Sequence, residues 1–511
     1  MKDLAKLLLF SSLFTTSAFA APVEGFADIH NHVFSEYGFG GAWFHGSVVG
    51  DLAHAMSSCE VEFDPFSTKG DHARVKIPFI SQLIAKTQGS WGDTGQHLDK
   101  TEGYPSFTGW PRWDSIAHQQ NWEGYLKSAH ENGMSLMVLS AVNFEPLCDL
   151  MPDENKKFKD CSDAYAVDLQ LKAAHEFEKS HPWFKIVTSP KEAREAIAKK
   201  QLAVILSIEV THLFGDGDWH QGFDHVYAQG VRTFQLAHQM DNRFAGVAIH
   251  NPIFRILQWL RDFKADGKWY QIFSSRFGFQ YKIEGETREN VKGLTDEGRA
   301  VLEEMMKRKM PIDLAHMSEQ SVRDTQALTV PHGNYPVYIS HGHFRHAMDD
   351  GKFSVWEKSS SDWVLDYIRD SGGIFGLRTG PEKTKSFGGS KAANDCQGSS
   401  KSFAQTYQYG RNKGLSVAFG SDLNGFIQQL RPRFGNHDET CGAETDEVIR
   451  TQQQRAQKDP LNKRFDQSGF GNISQLPDVV TELKNAGIDT EGLNHSAEAF
   501  IQMWEKAQKT I

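Results

Sequence analysis

Eight short runs of apolar, strand-forming residues recur along this chain with helical patterns between them. That alternation restricts the fold more than any other feature of the sequence. The runs are FADIHNHV (26–33), MSLMVLSAV (134–142), LAVILSIEV (202–210), VRTFQLAHQ (231–239), PIDLAHMS (311–318), YPVYISHG (335–342), GGIFGLR (372–378) and SVAFGSDL (416–423). Most are continuous apolar stretches, as expected of parallel strands covered by helices on both faces. Trp122, Tyr125, Leu126 and Ala129 form a helical stripe before the second run. Val301, Leu302, Met305 and Met306 form another before the fifth, behind a Thr295 cap. Ile368 is followed by Gly372 and Gly373, a helix stop that leads into the seventh run. Eight strands alternating with helices define an α/β chain of the (β/α)₈ TIM-barrel type, with a doubly wound open sheet as the alternative.

The remaining sequence is arranged around this repeat. Residues 1–20, MKDLAKLLLFSSLFTTSAFA, have a positive start, an apolar centre and an Ala-Phe-Ala ending, and read as a signal peptide. The expected mature chain is one domain, 21–511, exported to the periplasm or secreted. No later apolar run is long enough to span a bilayer, so no membrane anchor is expected. Insertions at about 34–133 and 240–294 are long enough to be functional loops, and a helical segment at about 475–511 ends the chain. A formal net charge of -10 argues against nucleic acid as a partner. The cysteines are Cys59, Cys148, Cys161, Cys396 and Cys441. An odd number in an exported protein implies two bridges and a free thiol. Loop positions pair Cys148 with Cys161 after the second strand, and Cys396 with Cys441 after the seventh and eighth, leaving Cys59.

The ends of the runs carry the chemistry. The first ends in His30 and His32, the third in Glu209, the fourth in His238, the fifth in His316, the sixth in His341 and the eighth in Asp422. Catalytic groups of a barrel gather at the C-terminal ends of its strands. Imidazoles with a carboxylate suit zinc and similar divalent ions. Four histidines and Glu209 exceed the needs of one tetrahedral ion, so two ions bridged by Glu209 and a hydroxide are expected, most simply Zn²⁺. The chain has no G-x-S-x-G elbow and no cysteine-nucleophile signature. The three letters HNH evoke a nuclease motif, but that motif needs a ββα-metal context.

These segments resemble the renal (membrane) dipeptidase family of the amidohydrolase superfamily. The likeness lies in ADIHNH, SIE, LAHQMDN, GLTDEGRAVLEEMMKRKMPIDLAHMS, PVYISH and GSDLNG, with NISQLPDVVTELKNAGID near the C-terminus. The resemblance implies a barrel that hydrolyses dipeptides. It makes His30, Glu209, His316 and His341 metal ligands, has His238 polarise the scissile carbonyl, and makes Asp422 the proton shuttle to the leaving amine. His32 stands where the family has Asp, which makes the site one unit more positive. The family's arginine for the substrate carboxylate has no direct counterpart, and Arg345 and Lys352 are its nearest replacements. Lysine lacks the bidentate fork of arginine, so bulky dipeptides and acyl-amino analogues with a blocked carboxylate are expected substrates. A lactonase, esterase or phosphotriesterase, and a non-catalytic metal- or ligand-binding protein, are the alternative readings. A homodimer stays open.

Overall fold

The computed structural model describes residues 21–41, 43–57, 113–114, 116, 118–149, 153, 156–248, 281–284, 287–349, 357–434, 441, 465 and 469–510. Its centre is a sheet in which every pairing is parallel. The strands are β1 (Phe26–Asn31), β2 (Met134–Val142), β3 (Phe184–Ile186), β4 (Leu202–Glu209), β7 (Ile312–Asp313), β8 (Val337–Phe344), β9 (Ser359–Ser360), β10 (Ile374–Leu377) and β11 (Ser416–Phe419). A separate antiparallel hairpin, β5 (Tyr281–Glu284) and β6 (Thr287–Asn290), lies in the second insertion. The hydrogen-bonded order is β3-β4-β2-β1-β11-β10-β8-β7, with β9 added alongside β8. Every residue of β2 and of β4 is buried. That is why their sequences are unbroken apolar runs: helices cover one face and the other strands fill the opposite one.

Residues 231–237 link β4, next to one end of this path, with β7 at the other. Val231 makes a parallel bridge to Leu206 of β4, and Gln235 makes one to Asp313 of β7. The backbone N–H groups of Arg232 and Gln235 donate to Leu206 and Ile208. The eight segments thus follow one another in the order of an α/β barrel.

Two expected strands are reduced here. The fourth run makes single bridges and no continuous ladder, because side chains take over part of the pairing. Thr233 Oγ1 donates to the Pro311 carbonyl at 3.2 Å and lies 2.9 Å from the Tyr338 hydroxyl. The fifth run is strand only at Ile312–Asp313. Asp313 Oδ1 accepts from the N–H groups of Ala315 and Ser340, and His316 takes a positive φ of 63°, which turns the chain out of the sheet. The short strands β3 and β9 have no counterpart among the eight runs.

The helices follow their sequence signals. The Thr295 hydroxyl accepts from Gly298 N–H at the start of helix Asp296–Lys307, whose buried residues include Val301, Leu302, Met305 and Met306. Helix Asp362–Asp370 stops at Gly372, which has a φ of 72° that a side chain would resist. Helix Ser496–Lys509 buries Phe500, Ile501 and Trp504, and ties the start of β1 to the C-terminus. Ser496 Oγ accepts from Ala27 N–H and Glu498 Oε2 from Val23 N–H, both at 2.8 Å. Disulfides join Cys148 to Cys161 and Cys396 to Cys441. Cys59 lies outside the described residues. Among the described residues no helix is long and apolar enough to cross a membrane.

Candidate metal centre

His30 sits on β1 and His32 just beyond it, so their rings project together, with centroids 4.6 Å apart. Asp28 anchors this end of β1. Its carboxylate accepts from Ser421 N–H at 2.9 Å, Ser421 Oγ at 2.6 Å and Asn31 Nδ2 at 3.0 Å. That link also places the next residue, Asp422, which holds a φ of 55° against its usual preference.

Glu209, the last residue of β4, divides the cluster. Its Oε2 lies 3.0 Å from His30 Nε2 and 2.9 Å from His32 Nε2. Asp422 Oδ1 completes this side, 3.2 Å from His32 Nε2 and 3.7 Å from His30 Nε2. The other oxygen, Oε1, lies 2.8 Å from His316 Nε2 and 3.7 Å from both His341 Nε2 and His238 Nε2. All these side chains are buried. In each of two groups, His30–His32–Glu209–Asp422 and Glu209–His316–His341, the ligand atoms lie within 4.8 Å of one another.

The first group fits a divalent ion. The Ser140 carbonyl can only accept, so His32 Nδ1 donates to it at 2.8 Å. In a neutral His32, Nε2 is then a lone pair facing two carboxylate oxygens. This nitrogen is buried and lacks hydrogen-bond geometry to either oxygen. Acceptors turned on one another at this distance call for a cation between them, and the outward N–H anchor is typical of a metal-bound imidazole. Burial pushes the His32 imidazole down, yet the carboxylates of Asp422 and Glu209 raise it to about 10, so without an ion it would carry a proton. Burial would raise Glu209, but His30, His238 and His341 hold it well below the usual carboxylate range.

The second group has a neighbour that the sequence did not reveal. Lys358 Nζ lies 2.7 Å from His316 Nε2 and 3.0 Å from His341 Nε2. Burial lowers its ammonium to about 7, against the pull of Glu209. Burial, aided by Lys358, also keeps His316 and His341 well below the normal imidazole value. Lys358 lies in no motif, and the pairing of β9 with β8 brings it here. Arg378 was also missed, although it ends the seventh run by the rule that selected the others. Its Nε lies 3.9 Å from Asp422 Oδ2, and its Nη2 lies 3.6 Å from Glu382 Oε1.

His238 lies against the Oε1 side, with burial lowering it to about 4, and its Nε2 is 3.0 Å from Gln239 Nε2. Arg345 is engaged elsewhere. Its Nη2 donates to Glu319 Oε1 at 2.5 Å and its Nε to the Ser359 carbonyl at 3.0 Å. Those bonds commit its guanidinium to bracing β9. Lys352 lies outside the described residues.

A parallel α/β barrel with buried histidines and carboxylates at its strand ends defines a metallohydrolase-type protein. More narrowly, residues 135–259 and 280–426 match the model of the membrane dipeptidase family (peptidase family M19), more than half of the chain, and the chain belongs to that family. The match contains Glu209, His238, His316, His341 and Asp422, while His30 and His32 precede it. Divalent metal and a small peptide substrate are general properties of this metallopeptidase family. Distant likeness extends to solved structures. The dipeptidase AC, a metallopeptidase of family M19, is 15% identical with a TM-score of 0.46, over 75% of this chain and 88% of that one. A metallopeptidase from Rhodobacter sphaeroides, liganded with a phosphinate mimic of the dipeptide L-Ala-D-Ala, has 15% identity and a TM-score of 0.45, over 75% and 89%. The probable dipeptidase PvdM from Pseudomonas aeruginosa has 15% identity and a TM-score of 0.47, over 75% and 88%. No curated protein matches the chain.

Proposed function

We propose that this chain is an exported, periplasmic or secreted, hydrolase of dipeptides and similar small acyl-amino compounds. In this reading His30, His32, Glu209 and Asp422 hold a divalent ion, with zinc favoured by the nitrogen and oxygen donors. The observation that carries it is the His32 lone pair, fixed by Ser140 and aimed at the carboxylates of Glu209 and Asp422.

A divalent ion in this group would supply Lewis acidity and lower the pKa of water toward neutrality. The chain's own residues then divide the work. Asp422 takes the proton of the attacking water and delivers it to the leaving amine nitrogen, as a buried carboxylate at the rim can. His238, kept neutral by burial, donates a hydrogen bond to the scissile carbonyl oxygen. Arg378 supplies positive charge beside Asp422, and its buried Nε has no hydrogen-bond partner among the described residues. With Arg345 committed to Glu319, Arg378 is the arginine we assign to the substrate carboxylate.

The test is hydrolysis of a panel of free dipeptides, their C-terminal amides and simple lactones by the purified chain. Each assay is run before chelation, after chelation and after zinc is restored. Dipeptide cleavage that is lost to chelation and recovered with zinc is expected. Activity on lactones alone would replace the dipeptidase reading.

A further inference from the structure

We infer that Lys358 occupies the second cation position of the centre, so that the chain carries one divalent ion in the His30–His32–Glu209–Asp422 group and none between His316 and His341. The inference rests on the reading above for the first group and goes beyond it in fixing the number of ions.

The geometry is a competition for lone pairs. A neutral imidazole has a single in-plane lone pair, and it can be given to a proton donor or to a metal but not to both. Lys358 Nζ lies within hydrogen-bond distance of both Nε2 atoms, at 2.7 Å from His316 and 3.0 Å from His341. His316 Nε2 and His341 Nε2 lie 3.0 Å apart, and His316 Nε2 is 2.8 Å from Glu209 Oε1. With both rings protonated at Nδ1, two N–H groups of the amine satisfy both nitrogens, whether it carries two protons or three. A divalent ion on the same two nitrogens would have to displace this amine.

The amine is held by folded backbone. Lys358 directly precedes β9, which runs parallel to the end of the strand bearing His341, with Ser359 opposite His343 and Ser360 opposite Phe344. Arg345 Nε donates to the Ser359 carbonyl and Glu357 Oε1 accepts from Glu319 N–H, both at 3.0 Å. Residues 357–360 are all buried. On the other side of Glu209, among the described residues, no donor is bonded to His32 Nε2, and Arg378 Nε stays 3.9 Å from the far oxygen of Asp422. There the near neighbours of His32 Nε2 are carboxylate oxygens, which attract a cation and cannot replace one.

The test is metal stoichiometry, which needs no substrate. Full-length protein is stripped with chelator and titrated with zinc by calorimetry, and the ions retained after gel filtration are counted by elemental analysis. Wild type should saturate at one ion per chain. Lys358→Met, which keeps the length of the stem and removes the amine, should saturate at two. Lys358→Gln serves the same purpose if the Met variant does not fold. Two ions in wild type, or a single ion in wild type and variant alike, would overturn the inference. Zero ions in wild type would overturn the metal reading together with it.

Discussion

The two oxygens of Glu209 face environments that differ in one respect. On the Oε2 side, His32 and Asp422 present acceptors beside His30, and Ser140 fixes His32 so that it cannot turn away. On the Oε1 side, His316 and His341 present similar nitrogens, but Lys358 is already hydrogen-bonded to them. On our inference, similar ligand types leave one demand for a cation open and meet the other from within the chain. On that inference the number of ions follows from the donors within reach of each lone pair, and the two ions expected from the count of histidines and carboxylates become one.

The comparison is open to attack from both sides. The largest effect should come from Asp422→Asn, which leaves His30, His32 and Glu209 in place but removes the proton carrier. Turnover of the best dipeptide should fall by about 10²–10⁴-fold in zinc-saturated protein, with the ion held more weakly by His30, His32, Glu209 and the neutral amide. A native kcat would remove Asp422 from the chemistry.

Metal removal should expose the Oε2 side next. Without an ion, His32 is raised from 6.5 to about 10 in the folded chain. A raised folded value means that the proton's contribution to stability is fully present below pH 6.5 and is lost as pH rises through about 10. Chelated protein should therefore lose thermal stability across that window, while zinc-loaded protein should show a much flatter profile. Parallel profiles for the two forms would mean that no ion contacts His32.

On the Oε1 side, Arg345→Ala strips the brace from β9 and takes the buried partner from Glu319 Oε1, leaving Trp363 Nε1 and the more exposed Arg323 on Oε2. Breaking such a pair costs about 3–5 kcal/mol, to be read from denaturant unfolding. An unchanged midpoint would show that β9, and with it Lys358, is held by other means. The smallest effect is expected from Arg378→Ala. Loss of one charge-assisted contact should raise KM for free dipeptides about tenfold and narrow their advantage over C-terminal amides. An unchanged preference would return the carboxylate to another residue.

The first side of this comparison was legible in the sequence and the second was only half so. Strand-end position identified His30, His32, Glu209, His238, His316, His341 and Asp422, because a barrel strand ends at the same rim each time it recurs. The pattern of eight runs was legible for a related reason: strands buried on both faces leave long apolar traces. It overstated the fourth and fifth runs, where Thr233 and Asp313 side chains take over backbone pairing. It missed β3 and β9, which are too short to leave a trace of their own. Lys358 has no signature at all, since a polar loop lysine acquires its role only when two residues of β9 pair with β8. Arg378 did have one, as the last residue of the seventh run.

The most direct measurement of the asymmetry is anomalous scattering at the zinc edge from crystals of the zinc-saturated wild-type chain. The account predicts a single peak per chain, bounded by His30, His32, Asp422 and Oε2 of Glu209, with Lys358 still bonded to His316 and His341. A peak between His316 and His341, with the Lys358 amine displaced, would contradict it.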